Sequence, residues 1–159
     1  ANPGDNKYYI ASLASSKNND SYGEGVDIKA SGYATYVSYN KLSIPSGIAY
    51  YATDNGTGNA TAHELTSPDA GTAMLVKGTA NTIYHFATAS SSSSTDDTSS
   101  NAFKAGGNTN LASTTTVESS TYYNYILNSG VFYAANDNYV ADNKAYLQLS
   151  KQADASAGD

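Results

Sequence analysis

Short segments of apolar and aromatic residues alternate with turn residues along most of this chain. The segments are rich in Tyr, Val, Ile and Thr, whose side chains fit the pleated surface of a β-sheet. Gly, Pro, Asn and Asp stand between them and mark tight turns, because Gly and Asn tolerate positive φ and Pro presets φ. No window of about 11 residues or more keeps the apolar stripe of a helix. Strands are predicted at residues 7–13, 25–30, 33–39, 47–53, 60–66, 72–77, 82–88, 121–127, 130–135 and 144–149.

This pattern predicts an all-β fold in a single domain over residues 1–150. About ten short strands at hairpin spacing form an antiparallel β-sandwich, jelly-roll-like, or a partly closed barrel. Residues 89–120 interrupt the pattern with a serine run, and we interpret them as a mobile Ser/Thr-rich insertion. Phe103 and Leu111 are expected to attach the middle of this insertion to the core. Residues 151–159 lack an apolar anchor and predict the start of a linker in a longer multidomain chain.

The charge of the chain argues against several classes of partner. The net charge is −6 at pH 7, and all eight basic residues are Lys. A protein that binds nucleic acid must neutralise phosphates, so nucleic acid is not an expected partner. No stretch approaches the ~18–20 apolar residues of a membrane span, so no membrane insertion is expected. The absence of Cys excludes disulfides, thiolate metal sites and Cys nucleophiles.

Side chains that could perform catalysis are sparse. The chain has three Glu and two His among its 159 residues. Glycoside hydrolysis needs two carboxylates that face each other, and most of the Asp residues fall in turns. His63 and Glu64 are adjacent, so in a strand they point to opposite faces and cannot share a substrate. The sequence therefore predicts no enzyme and no cofactor.

One weak metal candidate lies near the C-terminus. Asp137 and Asp142, with Asn neighbours, bracket a connection between strands and offer the hard oxygen ligands that calcium prefers. Their spacing does not match an EF-hand, and Asx-rich turns commonly form without metal. No metal is therefore the main expectation, with calcium as the alternative.

The 15 tyrosines are the most unusual feature of the composition. Alternation along the predicted strands assigns most of them to the core and leaves Tyr36, Tyr51, Tyr122 and Tyr146 pointing outward. Exposed tyrosine rings stack on the apolar faces of sugars or form protein contacts, whereas cross-strand tyrosine pairs can also simply stabilise a sheet. The candidate carbohydrate-binding residues are Tyr36, Tyr51, Tyr122, Tyr146, Asn124 and Gln148.

Several segments resemble, in order, a β-rich module found near the C-termini of secreted proteins from gut and rumen Bacteroidota. They are residues 32–35 (GYAT), 42–50 (LSIPSGIAY), 67–78 (SPDAGTAMLVKG), 79–84 (TANTIY), 125–133 (YILNSGVFY) and 144–147 (KAYL). The resemblance covers residues 24–150 and rests on the order of the motifs. The chain departs from the module in its serine-rich insertion and in Asp69-Ala70, where Pro-Ala is common. The resemblance implies a secreted or cell-surface accessory module and transfers no binding residue.

Two functions follow as hypotheses. The first is a non-catalytic carbohydrate-binding module of a secreted plant-polysaccharide-processing protein, with a xylan or β-glucan type polysaccharide as partner. The second is a structural or adhesive cell-surface domain or a filament-forming domain, which the low-charge, Ser/Thr/Asn-rich composition favours equally. An enzyme ranks third because carboxylates suited to catalysis are few.

Overall fold

Antiparallel strands make up the regular structure. The protein is described from a computed structural model over residues 24–89, 96 and 98–153. The strands in chain order are β1 (Glu24–Asp27), β2 (Tyr33–Val37), β3 (Leu42–Ser43), β4 (Ala49–Asp54), β5 (Ala60–Leu65), β6 (Ala73–Lys77), β7 (Ile83–Thr88), β8 (Phe103–Ala105), β9 (Thr109–Leu111), β10 (Thr114–Val117), β11 (Ser120–Asn128), β12 (Val131–Ala134), β13 (Asn138–Val140) and β14 (Ala145–Leu149). The prediction of an all-β, sandwich-like antiparallel domain is confirmed, although these fourteen strands exceed the expected ten. The strand predicted at residues 7–13 lies outside the described residues.

The strands form three sheets and one ribbon. The outer sheet has the order β1-β7-β3, the central sheet β2-β6-β4-β5, and the long sheet β10-β11-β14-β8. β12 also pairs with β11, and it follows β10 along the same edge, because Tyr123 faces β10 and β14 whereas Tyr125 faces β12 and β14. β9 and β13 form a separate two-stranded ribbon.

Two apolar cores lie on the two faces of the central sheet. The outer core, between the central and outer sheets, contains Val26, Leu42, Met74, Val76 and Phe86 among its buried residues. The inner core, between the central and long sheets, contains Leu75, Phe103, Tyr125, Leu147 and Leu149. The central sheet is therefore covered on both faces, which matches the continuously apolar sequence of β6.

Burial on both faces corrects the prediction for Tyr36. Alternation along β2 placed this ring outside, but Tyr36 is only 4% exposed and lies in the outer core, opposite Met74. The alternation argument assumes that one face of the strand meets water. In β2 both faces meet a core, so residues 34–37 are all buried.

A buried carboxylate anchors Tyr36 and the turn that follows β2. Glu24 is 3% exposed, and its Oε1 accepts hydrogen bonds from the Tyr36 hydroxyl (2.5 Å) and the Tyr39 backbone N–H (2.9 Å). Its Oε2 accepts bonds from the Asn40 backbone N–H (2.6 Å) and from Asn40 Nδ2 (2.9 Å). A buried charge is tolerated when it is hydrogen-bonded in this way, so Glu24 has a structural role.

The predicted insertion contains regular structure in its second half. Residues 103–105, 109–111 and 114–117 form β8, β9 and β10, so the interpretation of this half as a loop is wrong. Phe103 and Leu111 are buried, as predicted. Residues 90–95 and 97, which include the serine run, lie outside the described residues. The three strands escaped prediction because they are short and rich in Thr, Asn and Lys rather than in apolar residues.

The β9–β13 ribbon covers part of the outward face of the long sheet. Leu111, Ala135 and Val140 form a small cluster against Ile126 and Tyr146. Gly106, directly after β8, allows this close approach, because a Cβ there would meet Val140 Cγ1 at 2.3 Å. No helix in the described part of the chain is long and apolar enough to cross a membrane.

Candidate functional site

Four of the six predicted binding residues lie on one face of the long sheet. Tyr122 and Asn124 are two residues apart on β11, and Tyr146 and Gln148 are two apart on β14. Neighbours such as Leu147 point into the inner core, so these four side chains point the other way. Asn124 pairs directly with Gln148, which places Tyr122 and Tyr146 towards opposite ends of this face.

The structure does not bring Tyr36 or Tyr51 to this face. Tyr36 is buried in the outer core, as described above. Tyr51 is half-buried, packs against the same core and stacks on His63 with ring centroids 4.9 Å apart. Both tyrosines therefore lie on the far side of the central sheet from Tyr122. The four tyrosines predicted to act together do not form one platform.

Asn124 is buried and has a structural role. It is 1% exposed, and its Nδ2 donates to Ala112 O (3.0 Å) and Thr115 Oγ1 (2.8 Å). Its Oδ1 accepts a hydrogen bond from Gln148 Nε2 at 3.0 Å. The structure therefore places Asn124 beneath the surface, with its amide donors and acceptor engaged by other residues of the protein. Its Oδ1 also fixes the orientation of the Gln148 amide.

The Tyr146 ring packs against other residues of the protein over much of its surface. Its ring contacts the cluster of Leu111, Ala135 and Val140, and burial raises the pKa of its hydroxyl. The ribbon that covers it could not be foreseen from β14 alone, because the covering residues are distant in the sequence.

Tyr122 and Gln148 line an open groove on the uncovered part of this face. The groove has a volume of 290 Å³ and is lined by Asp54, Ser100, Asn101, Ala102, Lys104, Val117, Tyr122 and Gln148. We call it the Tyr122 groove. Val117 on β10 is 48% exposed and pairs with Ser120, so it lies diagonally from Tyr122 on the same face, and both side chains line the groove. An amide can form up to four hydrogen bonds, so Gln148 retains capacity for a ligand beyond its bond to Asn124.

The groove carries one acidic and one basic side chain. Asp54 Oδ1 accepts from the Gly56 N–H (2.9 Å), and Oδ2 accepts from the Ser150 N–H (2.8 Å). Burial alone would raise the pKa of Asp54, but the hydrogen bonds from Gly56 and Ser150 lower the pKa overall. Asp54 is therefore ionised at neutral pH, and exposed Lys104 balances its charge. The two formal charges in the groove therefore sum to zero.

Asn101 fixes the side of the groove that belongs to the central sheet. Its Oδ1 accepts from the Ala52 N–H (3.3 Å) and the Phe103 N–H (3.0 Å), and its Nδ2 donates to Ala73 O (2.7 Å). This one side chain thus joins β4, β6 and β8. A site held by such contacts is formed before a ligand arrives, which favours binding.

Sequence reasoning missed six of the eight residues that line the groove, and four of these six shape it most directly. Asn101 and Lys104 fall in the segment interpreted as a loop, and Asp54 was explained by its turn. The alternation of Phe103, Lys104 and Ala105 was the available signal, because it marks a short strand with Lys104 on the outside. Val117 carried no signal until its pairing with β11 was known.

The calcium candidate gains no support from its surroundings. The described residues hold no group of three or more His, Asp or Glu side chains placed to bind one metal ion. Asp137 occupies a turn with φ of 60°, and the Asp142 backbone N–H donates to Asn108 Oδ1 at 2.9 Å. Turn formation explains both residues.

No protein-family model matches this chain, and neither a curated protein nor a solved structure matches it.

Proposed function

We propose that this protein is a non-catalytic carbohydrate-binding module that binds a neutral polysaccharide in the Tyr122 groove. The observation that carries the proposal is the convergence of Tyr122, Val117, Gln148 and a balanced pair of charges on one open, preformed groove. An aromatic ring beside polar groups suits a sugar, whose ring faces are apolar and whose edges carry hydroxyls. The open shape suits an internal stretch of a long polymer, because the chain can extend beyond the groove in both directions.

The biological setting is part of the same proposal. The order of motifs that resembles the Bacteroidota accessory module supports a secreted or cell-surface protein in which this domain accompanies others. The polymer is then a plant polysaccharide of the xylan or β-glucan type. A non-catalytic role is supported by the structural duties of Glu24, which is buried and fully hydrogen-bonded, and of His63, which stacks on Tyr51 and bonds Thr53 Oγ1 at 2.8 Å.

Calorimetry and affinity electrophoresis against xylan, mixed-linkage glucan and mannan test the proposal. We expect binding to at least one of them, and Tyr122→Ala is expected to weaken it about tenfold, because truncating a central aromatic commonly costs ≥ ~1 kcal/mol. Tyr133→Ala is the matched control. Tyr133 is 52% exposed on the same sheet but lies outside the groove. Absence of binding to every polymer would refute the function, and equal losses in the two variants would refute the site.

A structural or adhesive role is the second candidate, and one observation favours it. β12 pairs with β11 alone among the described strands, and it exposes Val131 (38%) and Tyr133 (52%). An edge strand with exposed apolar side chains can pair with another copy of the chain. Light scattering that shows assemblies growing with protein concentration, and the loss of these assemblies in Val131→Lys, would support this role. A strict monomer at all concentrations would exclude it.

A further inference from the structure

We propose that a second cleft, formed around Lys144, binds the carboxylate of an acidic sugar. This Lys144 cleft has a volume of 330 Å³ and lies between the central and long sheets, with Tyr33, Thr35, Leu127, Ser129 and Tyr139 among its lining residues. It shares no residue with the Tyr122 groove. Sites for small molecules range over roughly 300–1,000 Å³, so the cleft fits a ligand of one or two sugar rings.

The position of Lys144 is the first argument for an anionic ligand. Lys144 precedes β14, and its Nζ donates to the Thr35 backbone O at 3.4 Å, which is long for a hydrogen bond. Lys144 forms no ion pair with any carboxylate of the described residues. An ammonium group has three donors, and only the one to Thr35 O has an acceptor among the described residues, so Lys144 retains donors for a ligand in the cleft that it lines.

The second argument is the charge around Lys144. Lys29 also lines the cleft, and its Nζ lies 3.0 Å from Asp27 Oδ2 in an exposed ion pair. Burial lowers the pKa of Lys144, and Lys29 lowers it further, while Asp27 acts in the opposite direction. The three groups together leave one positive charge in a chain of net charge −6. A ligand with one negative charge relieves the cost of holding this ammonium partly out of water.

The walls indicate a sugar rather than a simple ion. Tyr139 is 64% exposed at the rim, and its hydroxyl donates to Asn108 Oδ1 at 3.1 Å, which holds the ring in place. Tyr33 provides a second ring, and the hydroxyls of Ser31 and Ser129 offer hydrogen bonds. A phosphate fits less well, because the chain has no Arg to bind it in a bidentate manner and only one ammonium here lacks a carboxylate partner among the described residues.

Titration with glucuronic acid and with its methyl ester tests the assignment. The two ligands share one sugar ring and differ in the charge, and binding is followed by backbone amide shifts in NMR. We expect the acid to bind about tenfold more tightly than the ester, as for a hydrogen bond to a charged group. Equal affinities, no binding of the acid, or equally tight binding of acetate would overturn the proposal.

Variants separate this cleft from the Tyr122 groove. Lys144→Met keeps the aliphatic stem and is expected to lower affinity for the acid about tenfold without loss of stability, because it removes a partly buried charge that lacks a carboxylate partner. Lys104→Met is the matched control and should leave this affinity unchanged, since Lys104 lies in the other groove. Tyr122→Ala should also leave the affinity for the acid unchanged, so the proposals for the two sites can be refuted independently of each other. Loss of acid binding in the Lys104 or Tyr122 variant would contradict the assignment.

Discussion

Removal of one hydroxyl, in Tyr36→Phe, tests the buried network around Glu24. Tyr36 supplies one of the four hydrogen bonds that the Glu24 carboxylate accepts. The ring of Phe fills the same space, so no cavity forms and only the hydrogen bond is lost.

Tyr36→Phe is expected to lower the free energy of unfolding by about 2 kcal/mol. A hydrogen bond to a charged group contributes roughly 1.5–3 kcal/mol, and the lower half of this range applies because the two backbone N–H groups and the Asn40 side chain still satisfy the carboxylate. For a domain of this length, each kcal/mol shifts Tm by roughly 2–4 °C, so Tm should fall by about 4–8 °C. Urea unfolding and calorimetry measure both quantities.

The pH dependence gives an independent check. Burial and the bond to Glu24 raise the pKa of Tyr36 above its ordinary value of 10.0. The folded state therefore holds the Tyr36 proton more tightly than the unfolded state does. The contribution of this hydroxyl to the free energy of unfolding is complete below pH 10 and is lost as pH rises further. Wild-type protein should lose stability above pH ~10 more steeply than Tyr36→Phe.

Tyr133→Phe is the matched control for this variant. Tyr133 is 52% exposed, and a surface change of this kind should alter stability by less than about 0.5 kcal/mol. If Tyr36→Phe were as stable as the control, the buried network would contribute nothing and our account of Glu24 would be wrong.

Two further predictions concern the turn residues that hold the sheets together. Gly106→Ala places a Cβ 2.3 Å from Val140 Cγ1 and 2.4 Å from Ala141 O, so it should cost about 1–3 kcal/mol in urea unfolding; an unchanged midpoint would contradict the close approach of the ribbon. Asp54→Asn tests the carboxylate whose pKa is lowered, because its contribution is present above the ordinary value of 3.8 and is lost as pH falls through the folded-state pKa. The stability difference between wild type and Asp54→Asn should therefore stay constant well above pH 3.8 and shrink as pH falls below it, and a difference that acidification leaves unchanged would refute this role.

The class of fold was predictable because its signal is local. Turn residues and β-branched or aromatic segments mark most strands independently of any long-range contact, and nine of the ten predicted segments coincide with described strands. The candidate site was predictable only in part. Alternation pointed Tyr122 and Gln148 outward on their own strands, but it could show neither that the two strands pair nor that the β9–β13 ribbon covers Tyr146.

Tyr36 shows where alternation alone fails. Along β2 and the residue that follows it, Ala34, Tyr36 and Ser38 share one face and are compatible with water, so the segment reads as a strand with one face in solvent. The missing information lies in β6, whose sequence AMLVK is apolar on both faces and which pairs with β2 along its whole length. The layers that cover the two faces of β6 also cover β2, because the two strands are hydrogen-bonded neighbours in one sheet. The β2 side chains that alternation points outward therefore meet a second core. The burial of a tyrosine in a multilayer β fold is therefore better predicted from the neighbouring strand than from its own.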